Sequence, residues 1–114
     1  MEYKYIKLVV FVPETDGDKL RQVLGEMGCG KLGNYDFCSF TTKGVGRFKA
    51  LEGADPAIGE VGELEEVVEE RIETICEKAK LAEVLNAVRE AHPYEEPAID
   101  VYPLLSDAIN AGPR

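Results

Sequence analysis

The chain has 114 residues, 45% of them hydrophobic and 31% charged, which fits one globular domain with one core and is too short for two. Its net charge is -9, so binding to nucleic acid or to an anionic membrane surface is disfavoured. There is no secretory signal and no apolar run of the roughly 20 residues that a membrane helix needs. Three widely spaced cysteines without a Cys-x-x-Cys argue against a disulfide framework or a structural zinc site. We therefore expect a cytoplasmic protein with reduced thiols.

The first predicted element is a strand over residues 3–12, whose two faces are both largely apolar. A strand of this kind is covered on both faces. In a small domain with two helices, the second cover could come from another subunit. The aliphatic face comprises Ile6, Leu8, Val10 and Val12, and the other face comprises Tyr3, Tyr5, Lys7, Val9 and Phe11.

A helix is predicted next, with Thr15 as its N-cap and Asp18 three residues later, close to a capping box. The glycines from Gly28 onward end the helix. They also match G-x-G-x-x-G over residues 28–33, but a dinucleotide site requires this motif after a strand. We interpret it as a helix stop and a tight turn. The apolar stripe of the helix comprises Leu20, Val23, Leu24 and Met27.

The rest of the chain predicts three more strands, one helix and a long acidic loop. The loop has three glycines and four carboxylates, and two interpretations stay open. Either a cation or a basic group from a neighbour orders it, or it is a structural connection packed statically by Ala57, Ile58 and Val61. Residues 1–104 would form the domain and residues 105–114 a C-terminal tail. The elements are a strand over 34–43, a turn at 44–46, a short returning strand over 47–51, the loop over 52–63, a strand over 64–76, a helix over 77–91 and a strand over 98–104.

This order of elements is βαββαβ, which is typical of the ferredoxin-like α+β fold. Such a fold has one antiparallel sheet with both helices on the same face. We expect the aromatic face of the first strand to lie on the opposite, open face of that sheet.

The densest polar cluster is the HPYEEP segment, residues 92–97. One imidazole and two carboxylates, from His92, Glu95 and Glu96, could bind a divalent metal ion or act as an acid–base pair. The alternative is a rigid connection between helix and strand, stiffened by two prolines, because a metal site needs three or four ligands and the chain has one histidine. No nucleophile elbow, P-loop or H-E-x-x-H motif is present, so the sequence identifies no catalytic residues.

Seven short stretches occur in the same order in one known family, the NGG-interacting-factor-like or GTP cyclohydrolase 1 type 2-like proteins. The chain resembles the domain inserted in the middle of the longer members, which is similar in fold to the PII signalling proteins and to CutA. The stretches are Gly33-Asn34-Tyr35-Asp36, Gly46-Arg47-Phe48, Glu52-Gly53-Ala54-Asp55-Pro56, Ile58-Gly59, Glu63-Leu64-Glu65, Arg71-Ile72-Glu73-Thr74 and His92-Pro93-Tyr94-Glu95-Glu96-Pro97.

The resemblance places the two-metal site of the longer members in the halves that flank this domain, so it implies no cyclohydrolase chemistry for these residues. Lys31 and Phe37 stand where related segments often carry histidine, which weakens the case for a metal site at His92. PII and CutA relatives form trimers, so a trimer is the first expectation and a dimer the second. The ligand-binding candidates are Asn34, Tyr35, Asp36, His92, Tyr94, Glu95 and Glu96.

We therefore predict a non-enzymatic, self-associating binding or regulatory module of the PII/CutA type, with a small molecule or a cation as its ligand. Two alternatives stay open. One is a divalent-metal-binding protein or metal-dependent hydrolase centred on the HPYEEP segment. The other is an accessory subunit that acts on a separate cyclohydrolase-like protein.

Overall fold

Four antiparallel strands form one sheet, and two helices pack on one of its faces. The computed structural model describes residues 3–105. The sheet order is β2-β3-β1-β4, and a short 3-10 turn precedes each helix. The predicted ferredoxin-like α+β fold is confirmed. The elements are β1 (Tyr5–Pro13), α1 (Gly17–Glu26), β2 (Phe40–Lys49), β3 (Leu64–Glu77), α2 (Leu81–Ala91) and β4 (Ile99–Pro103).

The hydrophobic core lies between the sheet and the helices. The aliphatic face of β1 is fully or almost fully buried there, as predicted. Removing a large aliphatic side chain from water contributes about 1.5–3 kcal/mol each, so this central strand anchors both helices to the sheet. The core residues that these elements contribute are Ile6, Leu8, Val10 and Val12 from β1, Leu20 and Leu24 from α1, Ile72 and Cys76 from β3, and Val84, Val88 and Ala91 from α2.

The second face of β1 lies on the side of the sheet without helices, also as predicted. Val9 in its centre is completely buried, and Phe11 is half-buried. The register places Phe40 of β2 and Val9 of β1 opposite the same β3 residue, Glu73. We call this helix-free side the open face.

The structure corrects the prediction for the second strand. Residues 34–39 are irregular, and β2 runs from Phe40 to Lys49 straight through both glycines that were expected to turn the chain. Gly46 has another role, because a Cβ at this position would meet the carboxylate of Glu69 and force it to move. A glycine inside a strand often marks this kind of close approach. The separate returning strand over 47–51 is therefore wrong.

The start of the first helix also differs from the prediction. Thr15 lies in a 3-10 turn, and Asp16 precedes the helix without a capping hydrogen bond from its side chain. Gly17 is the first residue of the helix. A glycine fits this position because the carboxylate of Glu70 packs against it and leaves no room for a side chain. The second helix likewise begins at Leu81, after a turn, rather than at residue 77.

The glycines after α1 act as predicted. Gly28 and Gly30 have positive φ angles, and the amide of Cys29 donates to the carbonyl of Leu24 where the helix ends. The predicted tail lies outside the described residues except for its first residue, Leu105. Within residues 3–105, no helix combines the length and the apolar character that crossing a membrane requires.

Candidate functional site

A cleft lies on the open face, between the end of the sheet, the loop after β2 and the HPYEEP segment. Its volume is about 500 Å³, within the range of small-molecule sites. Phe11 and Phe48 line it from the strands, Ile58 lines it from the loop, and Tyr94 lines it from the HPYEEP segment. The loop is held over the cleft by its Asp55 amide, which donates to Glu95 Oε1 at 2.9 Å.

Tyr94 is the best-anchored polar side chain of the cleft. Its hydroxyl donates to Glu69 Oε2 at 2.9 Å, and its ring meets Phe48 edge-to-face at a centroid distance of 5.8 Å. Burial, and then the hydrogen bond to the Glu69 carboxylate, raise the pKa of Tyr94 above its ordinary value. The phenol is therefore held in its neutral form as a hydrogen-bond donor.

His92 is buried, and both of its ring nitrogens have backbone partners. Nε2 lies 2.7 Å from the carbonyl oxygen of Phe11, and Nδ1 lies 3.1 Å from the amide nitrogen of Tyr94. Since a carbonyl only accepts and an amide only donates, Nε2 carries the proton and the ring is neutral. His92 thus ties the HPYEEP segment to β1, which fits the predicted role of a rigid connection.

A metal ion on His92 would have to replace one of these hydrogen bonds. Among the residues that the structure describes, no three His, Cys, Asp or Glu side chains are grouped as metal ligands. Glu95 and Glu96 are both exposed at the edge of the cleft. Metal binding by His92, Glu95 and Glu96 stays a prediction.

The other predicted ligand residues lie in a different part of the molecule. Asn34, Tyr35 and Asp36 are exposed in the irregular segment before β2, and none of them lines the cleft. The side chain of Asp36 accepts from the Phe37 amide at 2.9 Å and lies 3.8 Å from the ammonium group of Lys31. This shapes the local turn. The structure therefore joins Tyr94, Glu95 and Glu96 in one cleft and separates them from residues 34–36.

Several residues of the cleft were not found from the sequence. Phe11, Phe48 and Glu69 come from three different strands, and only the strand register brings them beside Tyr94. One local signal was available, because Gly46-Arg47-Phe48 was among the family motifs. Its glycine, Gly46, predicts a turn from the sequence alone, whereas in the structure it leaves space for the carboxylate of Glu69.

Comparison with known proteins shows strong similarity to part of a longer protein. The chain is 49% identical over 106 residues to a Halalkalibacterium halodurans protein named GTP cyclohydrolase 1 type 2 homolog, and 49% identical over 98 residues to the Bacillus subtilis protein of that name. These alignments cover 93% and 86% of this chain but only 28% and 26% of the two relatives. No protein-family model matches the chain.

Solved structures give the same result. A Bacillus cereus protein related to NIF3 superposes with a TM-score of 0.78 at 45% identity, covering 90% of this chain and 26% of that one. The periplasmic divalent cation tolerance protein CutA from Archaeoglobus fulgidus superposes with a TM-score of 0.63 at 20% identity, covering 89% and 84% of the two chains. At this identity the CutA match shows the fold alone. The chain is therefore homologous over most of its length to one CutA-like segment of the NIF3-related GTP cyclohydrolase 1 type 2 homologs, which confirms the resemblance drawn from its motifs.

Proposed function

We propose that the chain is a non-enzymatic, self-associating module of the PII/CutA type, located in the cytoplasm, whose ligand site is the cleft on the open face. The cleft supports the binding role because aromatic rings and a few polar groups converge in a space suited to a small molecule. The fully engaged imidazole of His92 speaks against acid–base catalysis, since neither nitrogen is free to exchange a proton.

Self-association rests on one observation, the apolar side chains exposed on the open face away from the cleft. Phe40 is 67% exposed and Tyr102 is 45% exposed, and no helix covers this side of the sheet. Ile75 lies between their strands, opposite Lys7, on the same face. Exposed apolar side chains on an uncovered sheet face support an interaction surface there. The likeness to CutA makes packing of these faces into a trimer the first expectation and a dimer the second.

The substitution Phe40→Lys tests this interface. Lysine at this position faces Glu73 across the strands, so an opposite-charge pair supports the monomer fold while the apolar contact between subunits is lost. We expect light scattering at micromolar concentration to give the wild-type protein a mass near three times 12.6 kDa. The variant should shift towards the monomer mass.

Tyr35→Lys is the matched control, because Tyr35 is an aromatic residue that is 75% exposed and lies outside the sheet. It should keep the wild-type mass. A wild-type mass of 12.6 kDa under these conditions would refute self-association. Equal dissociation in both variants would place the interface elsewhere.

A further inference from the structure

We infer that the cleft binds a small organic cation, an ammonium or guanidinium group carried on a flat apolar body. The inference rests on the proposed binding role of the cleft, but it does not depend on self-association. The ligand predicted from the sequence was a cation or a small molecule, and the walls of the cleft favour one that is both positively charged and flat.

The aromatic walls of the cleft indicate that its ligand has an apolar body. Phe11, Phe48 and Tyr94 bring three aromatic rings to one space, and Ile58 closes it from the loop side. The edge-to-face contact of Phe48 with Tyr94 and the hydrogen bond from Tyr94 to Glu69 fix two of these rings. Flat ligands bind well between such rings, and a cation gains further from their negative faces.

The polar groups in the same walls indicate that the ligand is positively charged. Glu69, Glu95 and Glu96 contribute carboxylates to the cleft. Among residues 3–105, no lysine or arginine nitrogen lies within 4.0 Å of any of these three carboxylates. Glu69 is half-buried, and within the described part of the chain its hydrogen-bond donor is the hydroxyl of Tyr94, which bonds Oε2. Its second oxygen, packed against Gly46, can accept from a ligand N–H.

Two basic residues of β2, Arg47 and Lys49, are also part of the cleft lining. Gly46 and Phe48 occupy the cleft face of this strand, so the strand alternation turns the side chains of Arg47 and Lys49 to the opposite face. There the Nε of Arg47 lies 3.9 Å from Glu66. Arg71 stacks near Phe11, with its guanidinium 5.6 Å from the ring centre, and it pairs with Glu73 at 3.6 Å instead of Glu69. The Arg71 guanidinium therefore lies beside one wall of the cleft, but among residues 3–105 no basic side chain forms an ion pair with its three carboxylates.

Other ligand classes fit these walls poorly. A phosphate or carboxylate ligand would meet three carboxylates, while the side chains of Arg47 and Lys49 in the lining point to the opposite face of β2. A bare divalent metal ion needs several converging ligands, and within the described part of the chain no such group of three exists. An organic cation uses both the rings and the charge.

Three probes that share one phenyl ring test the inference, namely 2-phenylethylammonium, 2-phenylethanol and phenylacetate. Calorimetry and amide chemical shifts would measure their binding to the full chain. We expect affinity to fall from the ammonium to the alcohol to the carboxylate, and amide shifts at residues 46–48, 69 and 94. Binding of phenylacetate as tight as that of the ammonium would overturn the inference, as would no binding of any probe at millimolar concentration.

Glu69→Gln removes the charge but keeps an oxygen that accepts from Tyr94. We expect it to weaken binding of the ammonium by about tenfold, as for the loss of a charge-assisted hydrogen bond. Glu66→Gln makes the same change of charge on the other face of β3 and should stay within about twofold, since an exposed charge on that face contributes little. Equal losses in both variants would mean that only net charge matters and would refute the site.

Phe48→Leu supplies a second variant that tests the rings, and it should weaken the ammonium several-fold more than it weakens the alcohol. A competition experiment with Zn²⁺ tests the alternative of a metal site. If Zn²⁺ displaces the ammonium probe, the cleft is a metal site and the inference is overturned. Light scattering on the same samples separates this outcome from the proposed self-association, which can hold or fail independently.

Discussion

Removing Arg21 should destabilise the fold, because it leaves a buried carboxylate without its partner. Arg21 Nη1 lies 2.6 Å from Glu70 Oε1, and it also donates to the hydroxyl of Thr41 at 3.2 Å. Glu70 is 6% exposed, whereas the side chain of Arg21 is 29% exposed. The pair joins α1 to β3 and β2 at the point where Gly17 packs on the carboxylate.

The expected loss of folding stability follows from how far Arg21 and Glu70 are exposed to water. Breaking a buried ion pair by removing one partner costs about 3–5 kcal/mol. Because water reaches the Arg21 side of this pair, we expect about 2–3 kcal/mol for Arg21→Met, the lower part of what an unpaired buried charge costs. The second pair of Arg21, with the fully exposed Asp18 at 2.7 Å, should add almost nothing.

Urea unfolding at one fixed protein concentration would measure this loss, since association makes stability depend on concentration. Arg47→Met is the matched control, because its pair with Glu66 is exposed on both sides, and it should change stability by less than about 0.5 kcal/mol. The double variant Arg21→Met/Glu70→Met should cost less than the sum of the single variants by at least about 1 kcal/mol. A small effect of Arg21→Met, or strict additivity, would refute the reasoning.

Two further predictions concern Tyr94 and the turn after α1. The raised pKa of Tyr94 stabilises the fold below the ordinary tyrosine value of about 10, and this contribution is lost as pH rises above it. Urea midpoints should therefore fall less steeply between pH 9 and 11 in Tyr94→Phe than in the wild type. The control is Tyr35→Phe, at an exposed tyrosine outside the sheet, and equal slopes in the two variants would contradict the assignment. Gly30→Ala should lower the melting temperature clearly more than Gly33→Ala, because both glycines have positive φ but only at Gly30 would a Cβ meet the backbone of Cys38. Equal losses would show that backbone strain alone matters.

The fold was predictable wherever the signal was local and periodic. The two faces of β1 and the apolar stripes of both helices follow from side-chain spacing, and spacing survives in the folded chain. The prediction for the second strand was wrong because Gly44 and Gly46 were interpreted as a turn, which is a purely local explanation of a glycine. The constraint on Gly46 comes from Glu69, which is 23 positions away along the chain but is its diagonal neighbour across the ladder, directly opposite Gly44.

The candidate site was predictable only in part, for the same reason. The HPYEEP segment is conspicuous because its polar residues are consecutive, and it contributes Tyr94, Glu95 and Glu96 to the cleft. The aromatic wall opposite is built from isolated residues on β1 and β2, each of which resembles an ordinary strand residue. Cleft residues of this kind are recognisable once the register is known.

The pairing of the outer strand β4 with β1 has a consequence for how this segment is used in larger proteins. Ile6 at the start of β1 lies opposite Pro103 at the end of β4, and the Leu104 amide donates to the Tyr5 carbonyl at 3.1 Å. The chain thus enters and leaves the fold at neighbouring points. A unit with adjacent ends can be added within a host protein by opening one surface connection, without separating the parts on either side. This geometry suits a segment whose relatives contain it as about a quarter of their length.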